Sequence, residues 1–328
     1  MQDPMDGEQR LDIISVGECM VEMFGREGLG GVMECTVGGD TLNVVVAAAR
    51  LGGRCGFLTR VGDDMFAPLL LGRWAKEGLD LSAVRIVDGF NGVYYITVDE
   101  AGERSFTYYR QGSAASTLEP ADIDPEYVAR AAVVHTSGIT QAISPSARAA
   151  VRRLIEVSVE RGVRVSFDTN FRPKLWTAAE ARAELRFVLS HVWVMLPSAG
   201  DEAEALWGTR VPEIVAEKAV EGGATVVAVK AGSEGVWVGT REKVVHVPAV
   251  EGIEIVDTTG AGDAFDGAFL LALLRGAGPV DAARLGVLVA AMACRRRGAL
   301  GGLPSKREVA KVWEAVYGDG TPPWLVGK

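Results

Sequence analysis

From residue 132 onward, short apolar runs alternate with segments of helical period, and this alternation limits the possible folds more than any other feature. AVVHTSG, VRVSFDTN, VWVMLPS and TVVAVKAG read as apolar strands. Between them lie SPSARAAVRRLIEVSVERG, TAAEARAELRFVLS and the PEIVAEKAVEGG segment, all helical in period. A βαβα order of this kind predicts an α/β fold: a doubly wound, mostly parallel sheet with helices on both faces. The chain has the material for it, because 328 residues at 48% hydrophobic content suffice for one large core and a small appendage.

The first third departs from this alternation. LDIISVGECM reads as a short buried strand, and in VMECTVGGDTLNVVVAAARLG a strand breaks at Gly38-Gly39 before a helix begins near Thr41. In GVYYITVDEAGERSFTYYR, residues 92–110, two β-rich runs flank the turn signal DEAGE and predict a hairpin. Its aromatics and arginine suit a lid more than a core. A second hairpin pattern, GVWVGTREKVVHVPAV, precedes two long apolar helices and a final helix in SKREVAKVWEAVY. No repeat, low-complexity segment or linker divides the chain. Residues 1–328 are therefore expected to form a single α/β domain, with a small β-lid built from excursions around 19–38 and 92–112. Apolar residues exposed on that lid point to a homo-oligomer formed through it.

Charge and cysteine usage exclude several classes of partner. A formal net charge of −9 argues against a nucleic acid or an anionic membrane surface. The basic run Arg295-Arg296-Arg297 follows an apolar stretch and reads as the last turn of a helix, where cations suit the dipole. Cys19, Cys35, Cys55 and Cys294 are widely spaced without CxxC, and the three histidines are scattered, so neither a disulfide framework nor a His/Cys metal cage is expected. The polar start lacks the order of a signal peptide, and no apolar run approaches the ~20 residues of a membrane helix. The expectation is a soluble, cytoplasmic protein.

In open parallel sheets, ligands sit outside the carboxyl ends of the strands. That rule places DTNFRP, LPSAGDE, KAGSEG and TTGAGD on one rim. In VDTTGAGDAFDGAF, residues Gly260, Ala261 and Gly262 offer little but backbone. A helix starting near Gly262 would aim unpaired N–H groups and the positive end of its dipole at an anion, phosphate above all. Asp263, in the first turn, would repel that anion unless it had a chemical task, such as taking a proton from an attacking hydroxyl. The same residues also spell a glycine turn followed by an Asp-capped helix. No G-x-G-x-x-G follows the first strand and no Walker A sequence is present, so the anion loop is of neither common kind.

DTTGAGDAFDGAF resembles the C-terminal signature of the ribokinase (PfkB) family of sugar kinases, and Gly38-Gly39 followed by Asn43 resembles its N-terminal signature. The likeness runs over nearly the whole chain in the expected order. It implies a ribokinase-like fold and ATP-dependent phosphorylation of a sugar or sugar-acid hydroxyl. It also implies that the backbone of Gly260, Ala261 and Gly262 stabilises charge on the transferring phosphoryl group, with Asp263 as the base. Within the family the chain is most similar to the 2-keto-3-deoxygluconate kinases, on GECMVEM, VGGDTLN, GVYYITVDEAGERSFTYYR, FDTNFRPKLW and EALWG. By that likeness Gly39, Asn43, Tyr94, Tyr108 and Arg110 would hold the sugar acid, and Arg172 would contact the substrate end or the phosphates. Asn170, Ser198, Lys230, Gly232 and Gly235 would serve ATP, its adenosine lying near the loops after Lys230 and before Asp257. Mg2+ would be held mainly by phosphates and water, with no direct protein ligand. A monovalent cation is a further candidate cofactor, since parts of the family require one.

The residues themselves agree in one respect. A carboxylate substrate calls for arginine, and both Arg110 and Arg172 lie in candidate site segments. Along a strand Tyr108 and Arg110 point to the same face, and Tyr94 lies on the partner strand. Plainer readings stand beside these. Tyr94 and Tyr108 also fit ordinary cross-strand aromatics, Arg172 a loop tie, Asn43 a side chain bonded near a helix start, and Lys230 a solvated ammonium. Asp266, one helical turn after Asp263, is expected to face elsewhere. The family's Asn-x-x-Glu falls either on Ala199 and Glu202 or on Ser198 and Asp201, and Ala299 stands where some relatives carry Asp. The alternatives are a kinase for a neutral sugar such as fructose or for a nucleoside, and a non-catalytic sugar- or nucleotide-binding regulator. Asp263 argues against the last, since a pure binder has no use for a base beside a phosphate pocket.

Overall fold

A computed structural model describes residues 10–25, 31–98 and 104–326. Its strands are β1 (Leu11–Val16), β2 (Met20–Gly25), β3 (Met33–Gly38), β4 (Cys55–Gly62), β5 (Val84–Val87), β6 (Val93–Val98) and β7 (Arg104–Tyr109) in the first third. They continue with β8 (Ala131–Ser137), β9 (Arg164–Asp168), β10 (Val194–Leu196), β11 (Val226–Lys230), β12 (Val236–Gly239) and β13 (Val244–Val247). The helices are α1 (Asp40–Arg50), α2 (Ala67–Lys76), α3 (Pro125–Ala129), α4 (Gly138–Ala142), α5 (Pro145–Glu160) and α6 (Ala178–Leu189). After them come α7 (Asp201–Trp207), α8 (Pro212–Glu221), α9 (Ala261–Leu274), α10 (Pro279–Ala293), α11 (Lys306–Tyr317) and α12 (Pro323–Val326).

Among the described residues the large sheet has nine strands in the order β13-β12-β11-β10-β9-β8-β1-β4-β5. Every pairing from β5 to β11 is parallel, and the β12–β13 hairpin extends the sheet antiparallel. Strand residues alternate between two cores, as a period of two demands. Ile13, Val133, Leu196 and Ala228 face the helices α1, α2, α9, α10 and α11. Ile14, Val134, Met195 and Val227 face α5, α6, α7 and α8 on the other side. This is the doubly wound α/β architecture expected from the alternation. The strand order reverses between β1 and β8, and the crevice outside their carboxyl ends is where such folds bind ligands.

A separate four-stranded sheet, β3-β2-β6-β7, forms the lid. Tyr94 pairs with Tyr108 across the β6–β7 hairpin, while the DEAGE turn lies outside the described residues. The run LDIISVGECM, expected as one strand, is divided between the two sheets: β1 ends at Val16 and Met20 already belongs to β2. Apolar content does not mark the crossing because both halves are buried. Residues 53–91, to which the periodic pattern assigns nothing, supply β4, α2 and β5. β4 is broken as a pattern by Gly56, Thr59 and Arg60, and β5 is a half-exposed edge.

Helix starts are well marked. Ser144 accepts from the Ala147 N–H before Pro145, and Thr177 with Glu180 and Ser305 with Glu308 form reciprocal capping boxes. α1 packs directly against α9. Gly267 lies so near α1 that a Cβ would collide with the Val44 carbonyl oxygen and reach 2.9 Å from the Ala47 Cβ. Gly267→Ala is therefore expected to lower stability by about 1–3 kcal/mol through overpacking, measured as a reduced urea midpoint. An unchanged midpoint would mean that the two helices part without cost.

Candidate active site

The crevice at the strand-order reversal is walled by the start of α1, the start of α9, the rim loops after β9, β10 and β11, and the lid. Gly260 takes the left-handed conformation, φ 76°, that a glycine accepts freely, and it turns the chain into α9. The Ala261 N–H is used by Thr258 O at 3.2 Å, whereas those of Gly262 and Asp263 have no acceptor among the described residues. They lie at the positive end of a fourteen-residue helix, an arrangement that favours negative charge. A Cβ on Gly262 would sit 3.7 Å from Lys230 Nζ, so an ammonium stands beside the same loop.

Asp263 projects from the first turn of α9 and accepts a 2.7 Å hydrogen bond from Asn43 Nδ2. Burial, and next the nearby Asp40 charge, push its carboxyl up to about 7 against the opposing Asn43 bond. Asn43 Oδ1 is buried without a partner. The bond to Asp263 makes Asn43 more than a local helix-start residue, since α1 and α9 are 220 positions apart at this contact. Gly39 caps α1 and rests against the Glu18 carbonyl, where a Cβ would collide.

Asp40 receives Ser137 Oγ at 2.5 Å and Asn170 Nδ2 at 3.1 Å, and burial raises its carboxyl. Asn170 is the non-glycine residue with positive φ, 30°, among the described residues. Backbone held in a rare conformation clusters at functional sites, and this one joins the β9 rim to α1.

Lys230 is neither solvated nor free to swing. Its Nζ lies 2.9 Å from Asp168 and 2.9 Å from Asp266, and its side chain is 13% exposed. Asp266 is completely buried and turns inward to this ammonium. Burial pushes Asp168 up, but Lys230 and the hydrogen bonds from Asp266 and Lys230 outweigh it and hold this carboxylate low. Burial and the Asp168 charge raise Asp266 against the pull of Lys230, so the two carboxyls are pushed in opposite directions. Lys230 itself is kept charged by the two aspartates despite burial.

The two acids offered for the Glu of Asn-x-x-Glu point in different directions. Glu202 faces the rim and accepts from the N–H groups of Ser198 and Phe171, both at 2.8 Å, and from the Thr169 hydroxyl. Burial and Asp168 raise it. Asp201 is exposed and pairs with Arg210 instead. Ser198 thus lends its N–H to Glu202, Gly232 opens the short turn after β11, and Gly235 closes it at φ 93°.

On the lid, Tyr94 stacks on Tyr108 with ring centroids 5.6 Å apart, and the Arg110 guanidinium lies 5.9 Å from the Tyr108 ring centre. Tyr94 is buried and donates its hydroxyl to Glu22, while Tyr108 is 47% exposed. Arg110 donates to Glu18 at the end of β1. Burial pushes Glu18 up to about 7, opposed by Arg110 and reinforced by Asp40. Arg172 is exposed on the rim after β9, with no partner for its guanidinium among the described residues. Glu18, Glu22, Asp40 and Asp168 are the site carboxylates that sequence reasoning missed. The signal was there for the first two, as acidic residues inside the otherwise apolar ISVGECMVEMF.

No helix among the described residues is long and apolar enough to cross a membrane. A family model described as pfkB family carbohydrate kinase matches residues 10–306. The 2-dehydro-3-deoxygluconokinase of Thermoproteus tenax is 32% identical over 317 residues, which cover 94% of this chain and 96% of that protein. Fructokinase-1 of Oryza sativa subsp. japonica is 30% identical, covering 95% of this chain and 100% of that one. Among solved structures, a putative ribokinase II from E. coli in complex with ATP and Mg2+ superposes with a TM-score of 0.85 at 25% identity, covering 93% of this chain and 99% of its own.

Proposed function

Since the chain belongs to the pfkB family of carbohydrate kinases, we propose that it phosphorylates the terminal hydroxyl of 2-keto-3-deoxy-D-gluconate with ATP, giving 2-keto-3-deoxy-6-phosphogluconate. The observation that carries this reading is one cleft with Asp263 at the anion loop and the Tyr94–Tyr108–Arg110 cluster at the lid. Asp40 lies between the two ends, near enough to feel Arg110 and to act on Asp263. A sugar acid spans such a cleft with its carboxylate toward guanidinium and its terminal hydroxyl toward the base.

The free N–H groups of Gly262 and Asp263 with Lys230 alongside fit a phosphate, and no three His, Cys, Asp or Glu residues among those described are grouped to enclose a metal. Bound Mg–ATP supplies the phosphoryl group and the charge that neutralises it. Asp263, held by Asn43, accepts the proton of the sugar hydroxyl. The α9 backbone stabilises charge on the transferring group, Glu202 fixes the rim loops through Ser198 and Phe171, and the lid excludes water. Phe106, Tyr108 and Tyr109, exposed on the lid, support pairing with a second subunit there.

One observation favours a second reading, a kinase for a neutral sugar such as fructose: Arg110 already has a carboxylate partner in Glu18. ADP release with Mg–ATP and 2-keto-3-deoxygluconate, fructose, ribose or adenosine separates the two. Turnover confined to the keto acid, with KM raised about 10- to 100-fold in Arg110→Leu by loss of a charge-assisted contact, is the expected result. Turnover of fructose with no effect of Arg110→Leu would leave the kinase and remove the sugar acid.

A further inference from the structure

Arg110 is the lid's guanidinium in the cleft, yet its charge is already matched. Glu18, 1% exposed at the end of β1, accepts from Arg110 Nη2. The match is incomplete in hydrogen bonds. Glu18 Oε1 and Arg110 Nε are buried without a close partner, and the Ser113 hydroxyl faces Glu18 only as a weak donor. A pair with spare donors and acceptors can exchange one member for another anion, provided the displaced carboxylate is not left charged in the cleft. The groups facing Glu18 are Arg110 and Ser113 from the lid end and Asp40 from α1, with the neutral Cys19 thiol adjoining. Only Arg110 is positive, so a Glu18 carboxylate that shares this guanidinium with a second anion has no other cation to turn to.

We propose that Glu18 is a specificity-determining residue, which holds the Arg110 guanidinium until a ligand carboxylate takes it over and then accepts a proton from solvent. The proposal rests on the reading of the substrate as a sugar acid. A neutral sugar leaves the Glu18–Arg110 pair intact and binds without a proton. An anionic one trades a buried carboxylate for a neutral acid, so its binding is linked to pH. Glu18 is already pushed up to about 7 with Arg110 beside it, and losing part of that positive charge raises it further. In the free protein at about pH 8 Glu18 is mostly ionised, and in the complex it is mostly protonated.

Calorimetric titration of the full chain with 2-keto-3-deoxygluconate, in two buffers of different ionisation enthalpy, reads the protons directly. Uptake is expected to approach one proton per ligand at about pH 8, and affinity to fall about tenfold per pH unit above about pH 7. Glu18→Gln keeps the shape and removes the titrating group, so the uptake and the slope should both vanish. A merely structural Glu18 would change affinity without moving either. Uptake that persists in Glu18→Gln puts the proton on Asp40 or Asp263 and overturns the proposal, as does wild-type binding without uptake. If Glu18→Gln fails to fold, wild-type binding without uptake still overturns the proposal, as does uptake that disappears in Asp40→Asn or Asp263→Asn, while uptake kept in both supports it. Wild-type phosphorylation of the keto acid without proton uptake sinks this proposal alone. Phosphorylation of fructose with no keto-acid binding sinks the substrate reading with it.

Discussion

Asp263→Asn is expected to lower kcat by about 10²- to 10⁴-fold, the usual worth of a general base, with little change in KM. The substitution keeps the side-chain volume and an oxygen that Asn43 Nδ2 can still reach, so the geometry of the α1–α9 contact survives. What is lost is the ability to accept a proton. The wild-type pH profile provides an independent check. Burial and Asp40 push Asp263 up to about 7, and only the ionised form is a base. At saturating substrate, kcat should therefore fall about tenfold per pH unit below that value, where the base is protonated. ADP release measured across this range tests both statements. Activity of Asp263→Asn within about tenfold of wild type would remove Asp263 as the base.

The largest expected effect on stability comes from Lys230→Met. Lys230 joins the end of β11 to Asp168 on β9 and Asp266 on α9, in a cluster whose carboxylates are 6% and 0% exposed. Removing the cation leaves two buried acids with no counter-charge, and breaking such a pair costs about 3–5 kcal/mol. Urea unfolding should show that loss. Adding Asp266→Leu to Lys230→Met should recover part of it, because one orphaned acid is then gone and an apolar residue fills its volume. A loss below about 1 kcal/mol in Lys230→Met would mean that the cluster is solvated or that the aspartates take up protons in place of the lost cation.

The legibility of the site differed from residue to residue. The turn at Gly260 and the place of Asp263 in the first turn of α9 were readable because a helix start is a local device, fixed by backbone freedom and by the first turn of one helix. Tyr94, Tyr108 and Arg110 were readable as neighbours because strand period and hairpin register place them on one face. Their partners were not. Glu22 takes the Tyr94 hydroxyl and Glu18 takes Arg110, and both acids sit in a run whose apolar neighbours make it look like plain core. Lys230 was readable as meeting ATP phosphates or solvent, not as the partner of two buried aspartates, and the choice between Glu202 and Asp201 as the rim-facing acid depended on which way a single helix turn faces.

The sequence by itself determined the layers: apolar strands alternating with amphipathic helices produce a parallel sheet covered on both faces, and the glycine-rich turn before α9 leaves backbone N–H groups without acceptors at a helix start. These follow from interactions within a few residues and from the burial each segment demands. The tertiary structure alone decided which charges meet. Asn43 reaches Asp263 across 220 residues, Arg110 reaches Glu18 across 92, and Lys230 bridges Asp168 and Asp266 from three separate elements. Pairing of buried charges is set by distance in space between elements that the sheet order brings together, and a strand's own pattern reports only that it is buried.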